Sequence, residues 1–187
     1  FYSFNGTIAD FTGYYTTKLN RLLQIEPAVQ GADDVNKKSL VRILKVYEFN
    51  QLTDVAGDIP YTEALKGQES LTPKYDTQRE IYLDMFKELD EAAAALDPSK
   101  PAFGSADLLF KGDVGKWKRF AYSLMLRLGM RITNVEPDLA KTWVHKAIAG
   151  GVFGDADVAK IDYADAAGSN NPQVLDLRNG NYISPGG

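Results

Sequence analysis

The chain of 187 residues is long enough for one domain with its own core, and its 44% hydrophobic and 25% charged residues exclude wholesale disorder. Twenty-one Lys and Arg against 25 Asp and Glu leave a net charge of -4, with no basic excess to clamp a nucleic-acid backbone. Cysteine is absent and histidine occurs once, at His145, so disulfides, thiolate zinc sites, cysteine nucleophiles and multi-histidine metal sites are excluded within these residues.

In chain order, residues 1–30 carry an aromatic-dense mixture around Phe11, Tyr14 and Tyr15, with a helix expected from Asp10 to Gln24. The first sustained helical period runs from Asp34 to Ala56, with Leu40, Leu44, Tyr47, Gln51, Leu52 and Val55 on one stripe and Val41, Ile43 and Phe49 broadening it. Gly57 ends it, as a residue able to take the left-handed conformation. A second helix is expected from Thr77 to Leu96. Thr77-Gln78-Arg79-Glu80 fits a capping box, and Tyr82, Met85, Phe86, Leu89, Ala93 and Leu96 make its apolar stripe. Asp113 is a good N-cap for a third helix reaching about Asn134, lined by Trp117, Phe120, Ala121, Leu124, Met125 and Leu128. Glu136-Pro137-Asp138 opens a fourth, with Leu139, Trp143, Val144, Ala147 and Ile148 as its stripe and Gly150-Gly151 as its stop. So short a link between the third and fourth helices requires an αα-hairpin.

The connectors 57–75 and 97–113 are rich in Gly and Pro, and long against the about 2–8 residues usual between helices of a bundle. From Phe153 onward the chain reads as loop, with short strands at most. The pattern predicts an all-α fold of helix pairs with long irregular loops. Two successive pairs are what a divergent helical repeat leaves. No run of about 18 apolar residues occurs to span a membrane. Phe1-Tyr2-Ser3-Phe4-Asn5-Gly6 is no signal sequence, and Ser184-Pro185-Gly186-Gly187 stops within loop, so the chain is expected to be a segment of a longer one.

The chemical motifs are weak. Gly112-Asp113-Val114-Gly115-Lys116 lacks the spacing and hydroxyl of a phosphate loop and reads as a helix start. Asp155, Asp157, Asp162 and Asp165 lack the glycine and glutamate of a calcium-binding EF-hand loop. His145 has no second ligand nearby, Asp90-Glu91 reads as a solvated pair, and no residue qualifies as catalytic. No metal or cofactor is expected. Arg127 and Arg131, one turn apart in an apolar run, call for a shared acid or loop carbonyls, with binding of an external anion as the alternative. Asp58, between Gly57 and Ile59-Pro60-Tyr61, is the expected partner. Tyr14 and Tyr15, outside the strong stripes, are the candidates for stacking on a ligand, a sugar ring included.

Three segments in succession carry a resemblance. They are Val55-Ala56-Gly57-Asp58-Ile59-Pro60-Tyr61-Thr62-Glu63-Ala64, then Pro73-Lys74-Tyr75-Asp76-Thr77-Gln78 with Ile81-Tyr82 and Glu88-Leu89-Asp90-Glu91-Ala92, then Gly112-Asp113 with Lys116-Trp117-Lys118-Arg119-Phe120-Ala121, Ser123-Leu124, Leu126-Arg127-Leu128 and Met130-Arg131-Ile132. Over residues 35–150 the chain resembles the SusD/RagB family of outer-membrane nutrient-binding lipoproteins, particularly its SusD-like branch. That resemblance implies tetratricopeptide-like helix pairs over 34–150 and a loop-rich segment over 151–187, all within a single segment, 1–187, of a larger SusD-like domain. It also implies a protein lipid-anchored to the extracellular face of the outer membrane, where it binds an oligosaccharide or polysaccharide, or in some cases a peptide, and hands it to a SusC-like TonB-dependent transporter. Such proteins are not enzymes. The chain is shorter than the family's members and lacks the lipidation cysteine; the family has no transferable ligand motif, so Asp58, Trp117, Arg127 and Arg131 read as scaffold. The competing reading is a helical-repeat scaffold for protein–protein docking with no small ligand of its own.

Overall fold

A computed structural model describes residues 13–66, 70 and 72–162. A wide π-helical turn, Tyr14–Leu19, leads into helix α1, Asn20–Ile25, and a closing 3-10 turn, Glu26–Val29. The helix expected from Asp10 to Gln24 is thus present but irregular, a succession of π, α and 3-10 turns that runs past Gln24 to Val29, and residues 10–12 lie outside the described ones. Its composition explains this: Tyr14, Tyr15, Thr16 and Thr17 are poor helix formers, and the Thr17 hydroxyl donates back to the Gly13 carbonyl at 2.5 Å.

Helix α2, Val35–Ala56, stops at Gly57, whose φ of +76° reverses the chain. Two short strands follow, β1 (Ile59–Pro60) and β2 (Tyr75–Asp76), paired antiparallel with Ile59 opposite Asp76. Helix α3, Gln78–Ala95, starts from the expected capping box: Glu80 N–H donates to the Thr77 hydroxyl at 3.3 Å and Thr77 N–H to Glu80 Oε2 at 3.1 Å. Helix α4, Val114–Arg131, is capped by Asp113, which accepts from Lys116 N–H at 2.9 Å. Helix α5, Pro137–Gly150, has proline in its first turn.

Helices α2 and α3 form one pair and α4 and α5 the next, with α3 packed on α4. This is a tetratricopeptide-like arrangement of αα-hairpins, all-α apart from the two-residue ladder among the described residues. Two glycines allow the second hairpin to close. A Cβ on Gly129 would come within 2.7 Å of Val144, and one on Gly150 within 2.4 Å of the Tyr122 ring.

The core runs along α3, where Ile81, Met85, Phe86 and Leu89 are fully buried, and Phe86 stacks on Trp143 of α5 with ring centres 4.9 Å apart. The expected stripes hold for α3 and α4 but shift elsewhere. Val55 of α2 and Ile148 of α5 are exposed, whereas polar Asn36, Ser39, Asn50 and Thr53 of α2 are buried. Each of these four side chains has a partner: Asn36 bonds Asp97 N–H and the carbonyls of Asp97 and Lys100, Ser39 the Val35 carbonyl, Asn50 the Tyr82 hydroxyl, and Thr53 the Gly57 carbonyl. Satisfied hydrogen bonds let polar side chains occupy positions that hydrophobic periodicity assigns to apolar ones.

A candidate ligand cleft at the open end of the helix pairs

The C-termini of α2 and α4 and the N-termini of α3 and α5 meet around a cleft of ≈ 440 Å³. Asp54 lies in the last turn of α2, Tyr82 early in α3, and Arg131 at the last position of α4. The Tyr82 hydroxyl donates to Asp54 Oδ1 at 2.5 Å, and Arg131 Nε lies 3.0 Å from Asp54 Oδ2. Burial, reinforced by the neighbouring Asp54 carboxylate, pushes the Tyr82 phenol up to about 12. The phenol therefore stays protonated and serves as a donor at neutral pH.

On the opposite lip, Arg79 of α3 donates through Nε to Glu136 at 2.5 Å, just before α5. Gln78 spans the floor, its side-chain amide donating to the Thr53 carbonyl at 2.7 Å. Ile132, Val135 and Leu139 form an apolar wall, with Val135 75% exposed. Guanidinium donors, carboxylate acceptors and a greasy face suit non-covalent recognition. Among the described residues, no group of three or more His, Cys, Asp or Glu is placed to hold a metal ion.

The connector between α2 and α3 is locked beside this cleft by a second carboxylate. Asp76, 4% exposed, accepts from the N–H groups of Tyr61 (3.1 Å) and Thr62 (2.7 Å) and from the Thr62 hydroxyl, and pairs with Lys74 at 3.0 Å. Burial opposes ionisation, but the Thr62 bonds and the Lys74 ammonium prevail and hold the carboxyl below the ordinary value. Tyr61 completes the lock, with its hydroxyl on Asp84 at 2.7 Å and its ring edge-on to Phe49.

The expected pairing of Asp58 with Arg127 or Arg131 does not form. Asp58 accepts instead from the Gln78 backbone N–H at 2.8 Å, capping the orphan amides where α3 begins. Arg131 pairs with Asp54 rather than Asp58. Arg127 is exposed and forms no ion pair among the described residues. The connector is thus fixed to the helices, but through the backbone of α3 and through Asp76. Trp117 is scaffold in the physical sense: buried, with its indole N–H donated to Asp107 at 2.6 Å.

Tyr14 and Tyr15 are half-buried against the core. The Tyr15 hydroxyl donates to the Pro60 carbonyl at 2.6 Å and its ring meets Phe49 edge-on; the Lys18 ammonium sits 4.0 Å above the Tyr14 ring. Both side chains tie the first segment to α2 and β1. Asp90 and Glu91, expected to be merely solvated, bridge helices through Lys146 and Arg42. Asp157 clamps Arg119, and Asp165 lies outside the described residues.

Sequence reasoning missed Asp54, Tyr82 as a polar group, Asp76 and Asp107. Their only signal was acidic residues flanking helix ends, which occur on most helical surfaces.

Comparison with known proteins gives a consistent result. A family model described as SusD-like, starch-binding and associating with the outer membrane, matches residues 2–184. A chitin-binding SusD homologue from Flavobacterium johnsoniae is 37% identical with a TM-score of 0.73, over 82% of this chain and 33% of its own. A SusD homologue from Bacteroides uniformis is 33% identical with a TM-score of 0.72, over 90% and 34%. A Bacteroidetes SusD-like structure is 38% identical with a TM-score of 0.72, over 81% and 28%. The chain therefore spans about a third of the length of the solved structures it matches. Comparison with curated proteins returned no match.

Proposed function

The chain belongs to the SusD-like family, and from that premise we propose that it is part of a cell-surface subunit that binds a glycan and delivers it to a SusC-like TonB-dependent outer-membrane transporter. The observation that carries this reading is the match of the starch-binding, outer-membrane-associated family over residues 2–184, joined to helix pairs that superpose on a chitin-binding homologue. In this reading residues 34–150 are a tetratricopeptide-like platform and 151–187 a loop-rich margin of one larger domain. The full-length protein is lipid-anchored on the extracellular face and performs no catalysis. The cleft chemistry agrees with a binding role, since it offers paired donors and acceptors without a nucleophile held by a base.

Tyr14 and Tyr15 enter the reading as stacking candidates whose rings also anchor the first segment. Titration calorimetry of the full-length protein against starch and chitin oligosaccharides is the direct test. Saturable binding to at least one series is expected. Failure of every oligosaccharide in a broad panel to bind would remove glycan capture and leave the docking-scaffold alternative.

A further inference from the structure

We infer that the cleft bounded by Arg79, Arg131 and Val135 is a site for a carboxylate-bearing sugar unit, a uronic acid within an anionic glycan. The inference rests on the glycan-binding reading and names a substrate class for one site.

The donor count of the cleft points to an acceptor-rich ligand. Arg79 commits only Nε, to Glu136; its terminal nitrogens have no partner among the described residues, and its side chain is 63% exposed. Arg131 rests on Asp54 with 47% of its side chain exposed. Each of the two guanidinium groups meets one carboxylate through Nε, Arg79 with Glu136 and Arg131 with Asp54, and the terminal N–H groups of Arg79 remain to donate. Both oxygens of Asp54 are already spent, on Tyr82 and Arg131.

A ligand that displaces water from the terminal N–H groups of Arg79 has to supply acceptors in its place. A carboxylate brings acceptors alone to this lip, and the planar fork of a guanidinium matches it bidentately. The rest of a pyranose ring presents C–H groups, and Ile132, Val135 and Leu139 offer the apolar surface to receive them. A volume of ≈ 440 Å³ suits one or two sugar rings, within the range of about 300–1,000 Å³ usual for small-ligand sites.

The test titrates the full-length protein with an oligogalacturonate, with the neutral oligogalactose of the same linkage and length, and with an oligoglutamate peptide. The native protein is compared with Arg79→Gln, and with Arg127→Gln as a control outside the cleft lining. These two variants leave the Asp54 ion pair intact, so they keep the test valid where Arg131 variants fail to fold. The uronate should bind about tenfold tighter than its neutral counterpart, and Arg79→Gln should remove about that factor, as expected for loss of one charged hydrogen bond. Equal affinity for the charged and neutral sugars, an unchanged uronate affinity in Arg79→Gln, a loss in Arg127→Gln as large as in Arg79→Gln, or preference for the peptide would each overturn the assignment. If neutral glycans bind and the uronate gains nothing, only this cleft assignment falls. If no glycan of any kind binds, the family-based reading falls with it.

Discussion

Replacing Asp107 by asparagine should destabilise the chain by about 2–4 kcal/mol although the shape of the side chain is preserved. The reason lies in how completely its carboxylate is used. Oδ1 accepts from Leu109 N–H (3.0 Å) and Phe110 N–H (3.2 Å), and Oδ2 from Gly112 N–H (2.9 Å) and the Trp117 indole (2.6 Å). Asparagine keeps one oxygen and turns an NH₂ toward two donors, whichever way the amide is set. At least one of those donors is buried in either orientation, since Phe110 and Trp117 are 5% and 2% exposed. A buried donor without an acceptor costs about 1–3 kcal/mol, and the apposed N–H groups add repulsion. Asp107→Ala should cost a similar amount or more, about 2–5 kcal/mol, with water recovering part at the half-buried Leu109 and Gly112. Urea unfolding followed by tryptophan fluorescence and far-ultraviolet circular dichroism gives the values. In a Trp117→Phe background the Asp107→Asn penalty should shrink, because one donor has gone. A loss below about 1 kcal/mol for Asp107→Asn in the native background would refute the account, since it would mean that these donors find other acceptors.

Gly150→Ala should lower the melting temperature by the equivalent of about 1–3 kcal/mol, because the new methyl meets the Tyr122 ring at 2.4 Å; a Tyr122→Ala background should relieve it. Asp76 should shape the acid limb of stability. Its carboxyl is held below its ordinary value in the folded state, so its contribution is complete above the unfolded value and drains away as pH falls through the folded one. Equilibrium unfolding between about pH 2 and 6 should therefore fall less steeply in Asp76→Asn than in the native chain; identical slopes would contradict the assignment. Asp58→Ala should cost about 1 kcal/mol as a lost helix cap, and Arg127→Ala within about 0.5 kcal/mol of nothing, both read from urea midpoints. A large penalty for Arg127→Ala would show that a pairing was overlooked.

The four long helices were legible because their signals are local. The box Thr77–Glu80, Asp113 as N-cap, Pro137 in a first turn and Gly57 as a stop each act within one turn, and the structure uses all four. Hydrophobic period was a weaker guide on α2. That helix is covered by α3 on one side and by the first segment on another, so it buries Asn36, Ser39, Asn50 and Thr53 as well as its leucines. Period detects a helix with one wet face; a helix covered from several sides loses that contrast. The first segment is hardest to read, because its helix formers are weak and its tyrosines dock on Phe49 and Pro60, partners distant in sequence.

The misassigned arginine partner shows where sequence reasoning stops. Of the two arginines expected to find an acid, Arg131 has one and Arg127 does not; both are exposed, so water can hold the charge without a partner. Asp54 and Asp58 are both available at the end of α2, four residues apart, and composition favoured the one in the connector. The fold selects differently because α2 is still helical at Asp54, which directs that carboxylate toward Tyr82 and the end of α4. After Gly57 the chain has turned with a φ of +76°, and Asp58 faces the first amide of α3 instead. One backbone reversal thus divides two neighbouring aspartates between two tasks, one capping a helix and one setting the charge of a cleft. Moving the acid from Asp54 to Asp58 is impossible without moving the turn. The consequence is measurable: Asp54→Ala should uncouple Arg131 and destabilise the chain by more than Asp58→Ala does, since it also strands the buried hydroxyl of Tyr82. Equal penalties for the two would mean that the reversal at Gly57 does not separate them.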